Sequence, residues 1–195
     1  VESKIDGVYQ IPANAFSGKT TLIKCVLPDK LERIDSGAFS STSLTGTVQL
    51  PEGLKYVSGF SGTKITKVQL PSTLEEIGNK AFYNCKSLMC EISLPHSLKR
   101  IEDYAFQSSA INGNLALPEG LEYIGAYAFE MCSGLTGSLT LPNGIKAINS
   151  FSFRRCGFAG NLFLPMGLEK IKDSAFAGTK CKGELNIPST VTVIG

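Results

Sequence analysis

The single histidine and the six cysteines are the residues of this chain with the most potential for catalysis or metal binding. A nucleophilic site would need His96 beside a Ser or Cys in a walled pocket, and a structural zinc would need four ligands. His96 directly follows Pro95, in a turn position that holds Asp, Glu, Ser, Asn or Met elsewhere in the chain. The spacing Cys85-x4-Cys90-x5-His96 matches no metal-binding motif. We therefore predict an exposed turn residue at His96, with no enzymatic activity, no metal and no cofactor.

Three of the cysteines occupy one recurring position. Cys85, Cys132 and Cys156 each lie three residues after a Phe, where other parts of the chain have Lys, Ser or Thr. If consecutive copies stack, the Cα atoms of Cys132 and Cys156 lie about 5 Å apart, which permits a disulfide without requiring one. We favour a stack of buried thiols, because a free cysteine behaves as a small hydrophobic residue.

Composition and charge exclude several classes of protein. The chain has 195 residues, of which 43% are hydrophobic and 18% are charged, as is typical of a folded globular protein. The net charge of +2 is too small to hold nucleic acid electrostatically. Because no segment approaches the roughly 18 apolar residues that a bilayer requires, we predict no direct membrane insertion. The chain starts at Val1, without the basic start and apolar run of a signal peptide, so we expect a piece of a longer protein.

A repeat of 20–24 residues organises the sequence. Eight prolines follow Leu or Ile in related contexts, and apolar residues recur three and six positions after each of the first seven. Five residues beyond the second of these positions there is usually a Phe, commonly preceded by Ala. The Phe column comprises Phe16, Phe39, Phe60, Phe82, Phe106, Phe129, Phe153 and Phe176.

Each repeat predicts three pieces of local structure. An alternating run such as Leu139-Thr-Leu141-Pro142 predicts a short half-buried strand that ends at the proline. The Leu-x-x-Ile segment is interpreted as a second short extended segment. The Ala-Phe segment, bracketed by Gly, Ser, Asp and Asn, predicts a helical or 3₁₀ turn that places Phe in the core. Because one repeat cannot bury its apolar face alone, neighbours must stack as a solenoid with parallel strands about 4.8 Å apart.

The pattern Leu-x-Gly-x-Leu-x-Leu-Pro-x-x-Leu-x-x-Ile-x-x-x-Ala-Phe-x-x-Cys resembles the BspA-like leucine-rich repeats of bacterial and protist surface proteins. The resemblance covers essentially the whole chain. It implies an α/β, β-rich fold, a right-handed solenoid of about eight units forming one domain over residues 1–195. It also implies a secreted or surface-anchored protein that binds other proteins without catalysis. The asparagine ladder of common leucine-rich repeats is absent here, because Lys, Gly, Thr and Ser fill the position two residues after Pro.

Two irregularities bear on the organisation of the repeats. The unit from Pro51 to Leu70 is three residues short, which predicts a loop tuck or kink near residues 58–62. The chain also starts and ends within partial repeats and has no polar cap, so we expect continuation in the parent protein or end-to-end self-association.

Surface positions remain for function. The residues that alternate with the buried strand pair are polar, mixed in charge and variable, except for Phe163. Two residues before the core Phe, three consecutive units carry Tyr104, Tyr127 and Phe151, which predicts an aromatic stripe. The stripe is either a platform for a partner or a sugar, or a ladder that seals the edge of the core.

The leading functional hypothesis is a non-catalytic binding or adhesion module that engages another protein, from a host or the extracellular space. Its candidate contact residues are Tyr104, Tyr127, Phe151 and Phe163. The alternatives are a structural spacer that presents a neighbouring domain and a carbohydrate-binding surface formed by the stripe. The resemblance alone places the protein at the cell surface or outside the cell.

Overall fold

A computed structural model describes residues 3–5 and 8–195 of the chain. Its strands, in chain order, are β1 (Ser3–Ile5), β2 (Val8–Ile11), β3 (Arg33–Ile34), β4 (Thr45–Gln49), β5 (Tyr56–Val57), β6 (Lys64–Gln69), β7 (Glu76–Ile77), β8 (Arg100–Ile101), β9 (Asn112–Asn114), β10 (Tyr123–Ile124), β11 (Gly134–Thr136), β12 (Leu139–Thr140), β13 (Ala147–Ile148), β14 (Leu162–Phe163), β15 (Lys170–Ile171) and β16 (Val193–Ile194). Apart from the antiparallel pair β1–β2, all paired strands are parallel. The predicted solenoid of stacked repeats is therefore confirmed.

The two extended segments of each repeat form two different sides of the solenoid. The Leu-x-x-Ile segments form an almost continuous ladder, in the order β1-β2-β3-β5-β7-β8-β10 and then β13-β15-β16. We call this side the ladder face. The alternating segments before each proline pair only as β4–β6, β9–β11 and β12–β14, and we call their side the strand face. The alternating segments, which were predicted as short half-buried strands, are thus paired less regularly than the Leu-x-x-Ile segments.

Burial follows the repeat pattern. The Leu and Ile of the ladder segments are buried in the middle repeats, as Leu74, Ile77, Leu98 and Ile101 show. These side chains pack inward because each strand pairs in register with its counterpart one repeat away, so that Ile77 lies beside Ile101. The core is one continuous cluster that runs along the stack.

The Phe column is stacked as predicted. Seven consecutive pairs of rings, from Phe16–Phe39 to Phe153–Phe176, have centroids 5.2–5.8 Å apart and nearly parallel planes. Offset stacking at this spacing is favourable for aromatic rings. One phenylalanine per repeat therefore ties each unit to both neighbours.

The Ala-Phe segments are hydrogen-bonded turns, and the described residues contain no helix. The amides of Lys80, Phe82 and Asn84 donate to carbonyls of the next repeat, whereas the intervening amides donate within their own turn. Lys80 and Asn84 both have φ of 55°, in the left-handed region. A residue of this conformation on each side of Phe82 ends this turn before a helix can propagate. Each Ala-Phe segment is thus a turn whose intervening amides bond to the carbonyl three residues earlier, as in a 3₁₀ turn, without continuing into a helix.

The short repeat keeps its place in the stack. Ser58 and Gly59 are buried in the shortened connection between Val57 and Phe60. A Cβ on Gly59 would lie 2.7 Å from Ile34 Cγ2, so this tuck requires a residue without a side chain. The Ser58 hydroxyl donates to the Asn79 carbonyl at 2.6 Å. The deletion is absorbed as a loop tuck, and the Phe column passes through it without a break.

Candidate functional site

The histidine and the recurring cysteines, the residues with the most obvious chemical potential, lie in different environments. His96 is exposed in its turn, as predicted. Among the described residues, no three His, Cys, Asp or Glu side chains are grouped so as to hold a metal ion. No helix in the same part of the chain has the length and apolar character to span a bilayer.

The recurring cysteines line the core as free thiols. Each donates to the carbonyl of the core Phe one repeat earlier, as in Cys132 Sγ to Phe106 O at 3.1 Å and Cys156 Sγ to Phe129 O at 3.0 Å. Thr42, in the same column, instead donates to the Phe39 carbonyl of its own repeat at 2.8 Å. The position therefore holds a small hydrogen-bond donor, and the preferred prediction of a buried thiol stack is confirmed.

Burial raises the pKa of the Cys132 thiol to about 12, while a hydrogen bond with Ser109 opposes the shift. A cysteine in an unfolded chain titrates near pH 8.5. The folded protein therefore keeps the Cys132 proton at pH values where the unfolded chain has lost it. Below about pH 8.5 this thiol leaves the free energy of unfolding unchanged, and as the pH rises from there toward about 12 it lowers that free energy. In this pH range, we predict that the free energy of unfolding falls more steeply in the unsubstituted protein than in the Cys132→Thr variant. The two slopes should differ by up to about 1.4 kcal/mol per pH unit. Urea denaturation at pH 7 and pH 10 measures the difference, and equal slopes would contradict the burial of the thiol.

The aromatic stripe is a stacked column on the turns. The ring centroids of Tyr104 and Tyr127 lie 4.8 Å apart, and those of Tyr127 and Phe151 lie 4.7 Å apart. In the same column one repeat earlier, Lys80 Nζ lies 5.5 Å from the Tyr104 ring centroid. The Arg154 guanidinium carbon lies 4.9 Å from the centroid of Phe151. A cation thus accompanies each end of the aromatic column.

The three stripe residues adopt an unfavourable backbone conformation. Their φ angles are 59–61°, in a column that Asn14, Gly37, Lys80 and Ser174 fill in other repeats. The left-handed conformation costs a non-glycine residue about 1–2 kcal/mol, and stacking of each ring pair returns about 0.5–1.5 kcal/mol. All three side chains are partly exposed. Because the rings cover one another's faces, the stripe presents mainly ring edges and the two Tyr hydroxyl groups.

A buried ionic cluster adjoins the stripe, and nothing in the sequence pointed to it beyond a charged residue next to Phe129. The Glu130 carboxylate is buried and accepts a hydrogen bond from Arg154 Nε at 2.6 Å. It also accepts a hydrogen bond from the Gln107 amide nitrogen one repeat earlier. This chain of polar contacts, residues 107, 130 and 154, links three consecutive repeats beside Tyr104, Tyr127 and Phe151.

The fourth candidate residue lies elsewhere. Phe163 belongs to β14 on the strand face and is 51% exposed. Among the described residues it has no ring contact with the stripe. The structure therefore brings three of the four candidate residues together and leaves Phe163 as a separate exposed side chain. The polar side chains predicted to alternate with the buried pair on this face are exposed, as expected for a solvated sheet.

The ladder face carries an ordered surface that the sequence analysis did not identify. The Arg33 guanidinium carbon lies 3.7 Å from the centroid of Tyr56, and that of Arg100 lies 4.3 Å from the centroid of Tyr123. Burial and the nearby Glu102 carboxylate raise the pKa of Glu76, against the effect of the arginines. Two positions before each buried Ile or Val of the ladder, acidic and basic residues alternate from one repeat to the next. They are Glu32, Lys55, Glu75, Lys99, Glu122, Lys146 and Glu169. The sequence carries this pattern of aromatic and charged residues one and two positions before each ladder Ile, where it could have been found.

A parallel solenoid with an aliphatic ladder and one stacked Phe per repeat defines a leucine-rich-repeat protein. The BspA type leucine rich repeat region matches residues 9–112 and 88–195, in six copies. The chain belongs to this family. No curated protein sequence matches it.

Three solved structures show the same fold. A leucine-rich repeat protein from Bacteroides ovatus ATCC 8483 is 25% identical with a TM-score of 0.67, over 83% of this chain and 42% of that protein. The leucine rich repeat protein of T. pallidum is 26% identical with a TM-score of 0.56, over 74% of this chain and 66% of that one. YopM from Yersinia enterocolitica WA-314 is 18% identical with a TM-score of 0.51, over 88% of this chain and 38% of that protein. The chain therefore spans less than two thirds of the length of each.

Proposed function

We propose that this chain is a non-catalytic protein-binding module of a secreted or cell-surface protein. The observation that carries the proposal is the division of the repeat into buried and free positions. In the middle of the solenoid, the side chains of every recurring apolar column are buried between stacked repeats. Side chains on the two faces and the turns instead differ from repeat to repeat. Stacked repeats of this kind commonly present extended surfaces for binding. Membership of the BspA type family supports a role in protein interaction.

The turn flank is the proposed contact surface. Tyr104 and Tyr127 present hydroxyl groups and ring edges, and Lys80 and Arg154 add cations at the two ends of the aromatic column. Tyr and Arg are enriched among residues that dominate the energetics of protein interfaces. The covered ring faces speak against a sugar stacked on the stripe.

The proposal is tested by retention of extracellular-matrix and serum proteins on the immobilised chain. We expect the double variant Tyr104→Ala/Tyr127→Ala to abolish retention while the melting temperature stays nearly unchanged. The matched control Thr140→Ala alters an exposed residue on the strand face, outside any site assigned to a ligand, and should retain the partner fully.

Two outcomes would contradict this function. A large fall in melting temperature for the double variant, with binding lost only in proportion to unfolding, would make the stripe a structural ladder. If the parent protein binds only through another domain, the solenoid acts as a spacer.

A further inference from the structure

The strand face is interrupted in the middle of the solenoid. On one side of the interruption β4 pairs with β6, and on the other side β12 pairs with β14; between them the only pairing in the part of the chain that the structure describes is that of β9 with β11, which ends just before residue 115. The amides of Leu139 and Leu141 donate to Asn161 and Phe163 carbonyls at 2.9 and 3.0 Å. In contrast, residues 91–94 and 115–117 donate and accept no hydrogen bond through their backbones within the described chain. These two adjacent segments leave main-chain N–H and C=O groups unpaired.

A groove opens at this interruption. It has a volume of about 560 Å³ and is lined by residues 67–70 and 91–94 together with Asn114 and Ala116. Its outward polar side chains are exposed, and none of them has a hydrogen bond or ion pair within the described part of the chain. These side chains are Lys67, Gln69, Glu91, Ser93 and Asn114. We call this site the middle groove.

We propose that the middle groove binds a short neutral oligosaccharide. One ammonium group and one carboxylate balance in charge, so the groove does not select an anion or a cation. The amides of Gln69 and Asn114 and the unpaired main-chain groups offer both donors and acceptors, which is the complement of a hydroxyl-rich ligand. The volume of the groove lies in the range of small-ligand sites.

The same features disfavour a protein segment in the groove. An extended peptide inserted between two repeats would need them about 9.6 Å apart, twice the normal strand spacing of ~4.8 Å. The Phe60–Phe82 and Phe82–Phe106 ring contacts, at 5.8 and 5.3 Å, limit how far the bordering repeats can part at the Phe column, so such an insertion would have to bend the stack. No exposed aromatic or Arg side chain lines the groove to anchor a protein partner. The middle groove is on the strand face, so its occupancy does not depend on the protein-binding role of the turn flank.

Calorimetric titration of the full chain with maltotetraose, cellotetraose and tetraacetylchitotetraose tests the proposal. We expect binding of at least one of them at millimolar or lower concentration. Asn114→Ala and Gln69→Ala should each weaken that binding roughly tenfold, since each removes hydrogen bonds to the sugar. The matched control Thr140→Ala changes an exposed residue on the paired part of the same face and should leave the affinity unchanged.

Amide hydrogen exchange gives a second readout that does not depend on a substitution. In the free protein, the amides of Ile92 and Leu94 should exchange faster than those of Leu139 and Leu141. Saturation with the binding oligosaccharide should slow the first pair and leave the second pair unchanged. Absence of binding by all three sugars, equal loss in Thr140→Ala, or equal binding of a neutral polar tetrapeptide would overturn the proposal. Protein retention through the turn flank would be unaffected by any of these results.

Discussion

Truncation of one core ring, Phe129→Ala, should lower the free energy of unfolding by about 3–5 kcal/mol. Phe129 is fully buried and stacks on Phe106 at 5.3 Å and on Phe153 at 5.5 Å. The substitution therefore removes two ring contacts and leaves a cavity that neighbouring repeats cannot fill. Because the backbone of each repeat contacts only its neighbours, the repeats on both sides should loosen together. Urea denaturation measures the loss, and amide hydrogen exchange should show its spread.

The control for this prediction is Gln69→Ala, whose side chain is exposed on the strand face. This substitution should change stability by less than about 0.5 kcal/mol. Phe82→Ala should repeat the effect of Phe129→Ala, since Phe82 is equally buried between two rings. If the exposed and the buried positions proved equally sensitive, the Phe column would not be the stabilising feature of the stack.

The solenoid could be predicted from the sequence because nearly every repeat has the same spacing of apolar residues. A Phe five residues after the ladder Ile recurs seven times, and a single isolated copy would have carried little information. The periodicity also placed the thiols of Cys132 and Cys156 in one buried column and Tyr104, Tyr127 and Phe151 in one stripe. Both arrangements follow from the register of identical units, which requires no knowledge of side-chain packing.

Features that depend on the spacing between repeats were not predictable in the same way. The alternating run before Pro95 has the pattern of a strand, yet residues 91–94 form no backbone hydrogen bonds. Pairing depends on how far neighbouring repeats separate on that side, and the pattern within one repeat does not contain this distance. Likewise, the turn composition suggested a helical turn, whereas left-handed residues such as Tyr104 and Ser108 interrupt it. Tyr is an uncommon residue in that conformation, so its type gave no warning.

The buried carboxylate beside the stripe leads to the second large effect. Arg154→Ala should lower the free energy of unfolding by about 3 kcal/mol, because it leaves the buried Glu130 carboxylate without its cation. The side chain of Glu130 is only 3% exposed and Arg154 Nε lies 2.6 Å from its carboxylate, so the substitution removes the cation that compensates a poorly solvated charge. The same substitution removes the cation near the Phe151 ring. Thermal and urea denaturation of the variant measure the loss.

A double-mutant cycle separates the ion pair from other consequences of losing Arg154. Glu130→Gln keeps the shape of the side chain but removes the charge that needs a partner. If the buried charge causes the destabilisation, Arg154→Ala should cost less in the Glu130→Gln background, with a coupling of about 1–3 kcal/mol. Strictly additive losses would show that Arg154 acts through packing on Phe151 instead. The cycle therefore distinguishes between two contacts of one side chain, since Arg154 touches both Glu130 and Phe151.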